Sequence, residues 1–152
     1  MKHITAKLLA VAAAAMMTAC TIESSDNGNL DGYWHLMSAD TLATGGTADM
    51  SQQRIFWAVN YHLFRLNDLD GGAEAYYMRF RHNGDSLSFT EAYIDHWHQD
   101  TGDDGGDVPV SDTTALAHYY VTTLPQHYII ESMSSSKLIL RSDKYRLKFR
   151  KQ

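Results

Sequence analysis

From residue 33 to residue 150 apolar and polar side chains mostly alternate, the period of a strand with one buried and one wet face. The clearest run ends the chain: Tyr145, Leu147 and Phe149 share one side, Arg146, Lys148 and Arg150 the other. Tyr76, Met78 and Phe80 stand against Tyr77, Arg79 and Arg81 in the same way. The pattern predicts eight strands, over 33–39, 54–59, 62–67, 74–82, 86–93, 127–133, 137–141 and 145–150. Asn83-Gly84 between two alternating runs is a hairpin signal, because both central positions of a type I′ turn need positive φ. Ser135-Ser136 and Ser142-Asp143 leave room only for antiparallel connections. One segment breaks the period: after Ser111-Asp112, residues Leu116, Tyr119 and Tyr120 fall at helical spacing, predicting a short helix that ends near Pro125. Eight antiparallel strands must close on themselves or leave long edges exposed. The expected fold is therefore all-β, an eight-stranded up-and-down antiparallel barrel with one short helix between strands five and six.

Strand parity places Trp57, Tyr76, Met78, Phe80, Leu87, Phe89, Tyr93, Tyr128, Ile130, Leu147 and Phe149 toward the barrel interior, with Glu91 on the same face. An eight-stranded barrel is just wide enough to be filled by its own side chains or to hold one small ligand. The candidate ligand-binding residues are Trp57, Tyr76, Met78, Phe89, Glu91, Tyr93 and Tyr128. Glu91 is either a polar anchor or a rim residue, and the rim is the usual fate of a carboxylate.

The ends of the chain bear on location. Residues 1–19 carry Lys2 and Lys7, then an apolar run from Leu8 to Met17, then small residues, the layout of an export signal. The run is half of the roughly twenty residues that a membrane-spanning helix needs. Thr18-Ala19-Cys20, ending on the only cysteine, resembles the lipobox of bacterial lipoproteins, with Met17 where leucine is usual. The resemblance implies that the Cys20 sulfur takes a diacylglycerol, that cleavage before Cys20 leaves it as an acylated N-terminus with palmitate-type chains, and that the membrane is a partner. Thr21 is not the aspartate associated with inner-membrane retention, so the outer membrane is preferred over the inner. Residues 20–29, polar and turn-rich, read as a flexible tether, and 30–152 as one domain. Loss of residues 1–19 removes two of the 13 Lys and Arg and none of the 18 Asp and Glu, leaving eleven against eighteen, a formal charge of −7. Nucleic acid is an unfavourable partner for such a chain.

The stretch IDHWHQDTGDDGGD, residues 94–107, holds two imidazoles and five carboxylates without a basic residue. On an extended chain His96 and His98 point to one side, and Asp100, Asp103 or Asp107 could complete a metal site. Calcium fits less well, since from Asp100 the EF-hand ligand places fall on Gly102 and Ser111. The glycines make ordering costly, and Asp with Gly is what exposed loops use, so an ordinary loop is expected here, with no bound cofactor. GDSL at Gly84–Leu87 matches a serine hydrolase motif in letters, with Asp95 and His98 as further partners, but that motif belongs on a strand-to-helix turn, whereas here it opens a strand. No catalytic residues are assigned.

Gly32-Tyr33-Trp34 at the start of the first strand resembles the Gly-x-Trp signature of lipocalins, and NGDSLSF, HYIIESMSSSKLILRS and YRLKFRK are similar to segments of small lipocalin-like bacterial lipoproteins. The resemblance implies that Trp34 of this Gly32–Trp34 signature plugs the closed end of the barrel, and that a basic residue near the last strand, Arg150 or Arg146, lies across the ring. It also implies an envelope lipoprotein that binds a small apolar or amphipathic ligand. The alternative is a barrel with a filled interior that serves as an inhibitor or accessory to another envelope protein; a metal-dependent site at the His/Asp loop ranks third.

Overall fold

The computed structural model describes residues 25–96 and 107–152. The expected export signal, Cys20, His98 and Asp100 lie outside them. Nine strands form one antiparallel sheet: β1 (Gly32–Thr41), β2 (Gly46–Asp49), β3 (Ile55–Asn60), β4 (Leu63–Asp68), β5 (Tyr76–Asn83), β6 (Ser86–Ile94), β7 (Gln126–Met133), β8 (Lys137–Arg141) and β9 (Tyr145–Lys151). β1 pairs with β9, which closes the sheet. Because β9 occupies one edge of β1, the other edge carries both β3, against Gly32–His35, and β2, against Ser38–Thr41. β2 and β3 are thus two halves of one barrel strand, broken at residues 50–54, and the closed wall has eight strands. The polar run GTAD of β2, exposed at all four positions, carries no apolar alternation by which sequence could reveal it.

Three bulges set the phase of the wall. Met37, Thr90 and Glu131 each lack a register partner on one neighbouring strand. An extra residue turns the following side chains to the other face. In β6, Leu87 and Phe89 point inward, and beyond Thr90 the buried residue is Ala92. Beyond β6 the wall is completed by residues 108–110: Ile94 N donates to Val108 O and Val110 N to Ala92 O.

The Asn-Gly hairpin falls where the sequence places it, with a corrected turn. Asn83 pairs with Ser86, so Gly84 and Asp85 are the loop, and only Gly84 has positive φ, +60°. A glycine at the first central position suffices there. The helical segment is a 3-10 helix, Thr113–Tyr119, between the fifth and sixth strands of the wall. Asp112 caps it by accepting from Thr114 N, and Tyr120, at φ +62°, ends it by donating its N–H to Ala117 O and Leu116 O.

The core runs the length of the barrel. Trp34, Leu36, Ile55, Trp57, Phe64, Leu66, Met78, Leu87, Phe89, Leu140 and Leu147 are fully buried. Each such side chain contributes about 1.5–3 kcal/mol relative to exposure, which is what the alternating pattern encodes.

A candidate binding site in the barrel interior

Trp57 stands at the middle of β3 and forms the hub of the interior. Its ring lies 4.9 Å from that of Phe149, 5.4 Å from Phe89, 5.9 Å from Tyr128 and 6.0 Å from Phe64, centroid to centroid. These tilted and edge-on arrangements suit aromatic quadrupoles. Of the residues that sequence parity assigns to the interior, Trp57, Tyr76, Met78, Leu87, Phe89, Tyr128, Ile130, Leu147 and Phe149 are buried, and Phe80 packs on the core from the side.

Glu91 and Tyr93 are corrected. Both follow the Thr90 bulge, which turns them to the outer face. Glu91 is exposed and accepts from Tyr93 Oη at 2.5 Å, and that bond, ahead of burial, raises the Tyr93 phenol above its ordinary pKa. Neither reaches the interior.

The closed end is built as the Gly-x-Trp resemblance implies, with a different cation. Trp34 is fully buried and donates Nε1–H to Leu30 O at 2.7 Å. Lys151, not Arg150, lies across it, with Nζ 4.6 Å from the ring centroid and donating to Asn29 O at 2.8 Å and Asp31 O at 2.6 Å. Arg150 is exposed on the opposite face of β9, and Arg146 is held outside by Glu131. The alternation that puts Leu147 and Phe149 inside puts Lys151 there too, so the signal is in the sequence. Gly32 permits this approach. Its φ is +132°, and a Cβ there would meet Lys151 Cε at 2.9 Å.

The opposite end is covered by the 3-10 helix. Leu116, Tyr119 and Val121 are fully buried, Tyr119 Oη donates to Glu74 O at 2.7 Å, and His118 Nε2 meets Asp68 Oδ2 at 2.8 Å. Burial, then the Asp68 charge, pushes the Tyr119 phenol far up, and burial does the same to Tyr128. Both phenols are therefore neutral hydroxyls at any physiological pH.

In this interior one polar atom stands out. Trp57 Nε1 is buried and has no hydrogen-bond acceptor among the described residues. Leaving a buried donor unmade costs about 1–3 kcal/mol, although an N–H directed at a ring face recovers part of it. Together with Tyr128 Oη, whose contact to Tyr120 O is long at 3.5 Å, it gives the apolar interior two neutral donors. That chemistry is compatible with an apolar molecule that carries an acceptor oxygen and repels a strongly ionic one.

The described histidine of the His/Asp stretch, His96, is not brought into the interior. His96 lies on an outer groove of about 590 Å³ at the ends of β4 and β6, lined also by Arg65, Glu74 and Asp95, where Arg65 Nε holds Asp95 Oδ2 at 2.6 Å. Among the described residues no group of three His, Cys, Asp or Glu could hold a metal ion. Ser86 of the GDSL letters opens β6 after the hairpin, as the sequence reading requires.

No curated protein matches the chain. Its fold is similar to that of a lipocalin-like protein from Bacteroides uniformis ATCC 8492, at 20% identity and TM-score 0.59, over 82% of this chain and 100% of that one. It is also similar to an uncharacterized protein from Bacteroides eggerthii DSM 20697, at 18% identity and TM-score 0.52, over 80% and 98%. The model of the lipocalin-like domain family matches residues 15–152, the whole barrel with both of its ends, and the chain belongs to that family.

Proposed function

We propose that the protein is a non-enzymatic binding protein of the bacterial cell envelope, held on the outer membrane through acylated Cys20, whose barrel takes one small apolar or amphipathic ligand. The observation that carries the ligand is Trp57 Nε1, a donor without an acceptor among the described residues, at the centre of an aromatic interior. A ligand carbonyl, ether or carboxyl oxygen placed there would satisfy it, with Phe89 and Tyr128 against its apolar body. The test is displacement of N-phenyl-1-naphthylamine by fatty acids, their esters and matched hydrocarbons. Oxygen-bearing ligands should outcompete the hydrocarbons in the native protein and lose that advantage in Trp57→Phe. Failure of every ligand to displace the probe or to move tryptophan emission would end this reading.

A second reading, an accessory or inhibitor barrel that contacts another envelope protein with its rims, draws support from the four rings packed on Trp57 and from the 3-10 helix that covers the open end. Stoichiometric co-purification of an envelope protein, with no competition into the barrel, would favour it.

A further inference from the structure

The described part of the supposed tether is not free. Asn27 Nδ2 donates to Tyr61 O at 2.6 Å and to Asp31 Oδ1 at 2.7 Å, Leu30 is fully buried, and Lys151 Nζ binds Asn29 O. The chain is therefore fastened to the closed end of the barrel from Asn27 onward. Seven residue steps separate Cys20 from Asn27, so even fully extended they reach only about 25 Å. Whatever holds Cys20 keeps the closed end close to itself.

The wall beside that point has an unusual composition for an acidic protein. The β3–β4 turn presents Tyr61 and Leu63, 41% and 39% exposed, with exposed His62 between them. Leu63 is in register with Arg79 of β5, and Arg81 follows on the same outer face toward the β5–β6 turn. Arg54, Arg65, Arg141, Arg146 and Lys148 are each held by a carboxylate. Arg79 and Arg81 are exposed and have no carboxylate within 4 Å among the described residues; Glu91 stands across from Arg79 but is bonded to Tyr93. At the other end, beside the covered mouth, Ile94 N bonds Val108 O, with Asp95 and Asp107 next to them in the chain. Apolar side chains beside guanidiniums that have no carboxylate partner among the described residues suit an anionic phospholipid surface.

We propose that the closed end lies against the anionic phospholipid surface that carries Cys20, through Tyr61, Leu63, Arg79 and Arg81, so that the mouth under the 3-10 helix faces away from the membrane. This rests on the anchored reading above. The contact is small, but a short tether supplies a high effective concentration, so a weak face suffices.

The test uses the full-length protein, purified and reconstituted into phosphatidylethanolamine/phosphatidylglycerol vesicles. An acylated Cys20 cannot react with maleimide, which leaves introduced cysteines as the only labelled sites. Bimane is placed at Leu63→Cys, at His62→Cys as a second probe of the same face, and at Ala43→Cys in the exposed β1–β2 turn of the opposite end. A doxyl-labelled lipid should quench positions 62 and 63 several-fold more than position 43. Arg79→Gln with Arg81→Gln, or phosphatidylcholine vesicles, should narrow that difference. Equal or reversed quenching on vesicle-bound protein overturns the orientation and leaves the anchor standing. Maleimide labelling of native Cys20, with protein left in the supernatant, refutes the anchor and removes the lipid surface as the occupant of this face.

Discussion

Lys151 is the most exposed of the groups that seal the barrel, and its replacement gives the sharpest test of how the closed end is held. In Lys151→Met the alkyl stem over Gly32 survives and the charge does not. The ammonium lies 4.6 Å from the Trp34 centroid, a contact of about 0.5–1 kcal/mol when partly wet. It also donates to two carbonyls, at 2.8 Å and 2.6 Å. Hydrogen bonds from a charged donor contribute about 1.5–3 kcal/mol each when buried, and here water can replace them in part, so the pair is discounted to roughly 1.5–2 kcal/mol. The expected loss is about 2–3 kcal/mol, which for a domain of this size lowers Tm by about 8–12 °C. Urea denaturation followed by circular dichroism and tryptophan emission reads it, with Arg150→Met as the control. Arg150 is exposed and no side-chain bond from it is seen among the described residues, so its loss should stay within about 0.5 kcal/mol. Equal losses in the two variants, or a Lys151→Met protein as stable as the native one, would refute the assignment.

Further outcomes follow from the same geometry. Trp34→Phe should cost at least about 1 kcal/mol more than Trp57→Phe in urea titrations, because the first strands Leu30 O and the second removes an unsatisfied donor, at similar loss of ring volume. Gly32→Ala should destabilise by about 1–3 kcal/mol, since an L side chain at φ +132° is strained and its Cβ would displace Lys151, and thermal melts would register the loss. Asp40 is held below the ordinary carboxylate pKa first by Lys148 and then by Thr47. A carboxylate depressed on folding adds stability above its unfolded pKa of about 3.9 and loses it as pH falls through the folded value, so the deficit of Asp40→Asn, under about 1 kcal/mol for a partly exposed pair, should be present at pH 7 and disappear in acid as pH falls through that folded value.

The wall was legible where alternation runs unbroken. Tyr145 to Lys151 and the inward set Trp57, Met78, Leu87 and Phe89 follow from parity alone, as does the helix marked by Leu116 and Tyr119. Sequence reading failed where the pleat slips. Nothing in SFTEAY marks Thr90 as a residue without a partner, since a bulge arises from pairing with β5 and not from local preference, and so Glu91 and Tyr93 were assigned to the wrong side. The split of β2 from β3 is hidden for a related reason: residues 46–49 have no buried face to leave a period. The unsatisfied donor of Trp57 is not a property of tryptophan but of four rings arriving from other strands, which no reading of the chain in one dimension supplies.

The break at residues 50–54 leaves β2 bonded to β1 on one side only, as the terminal strand of the sheet order. A cylinder has no free margin, whereas this one carries a four-residue lip of open amides and carbonyls. It is guarded in the manner of natural sheet margins, by shortness, a glycine and the acid Asp49, so growth of the sheet into fibres is checked at its one unsealed seam among the described strands.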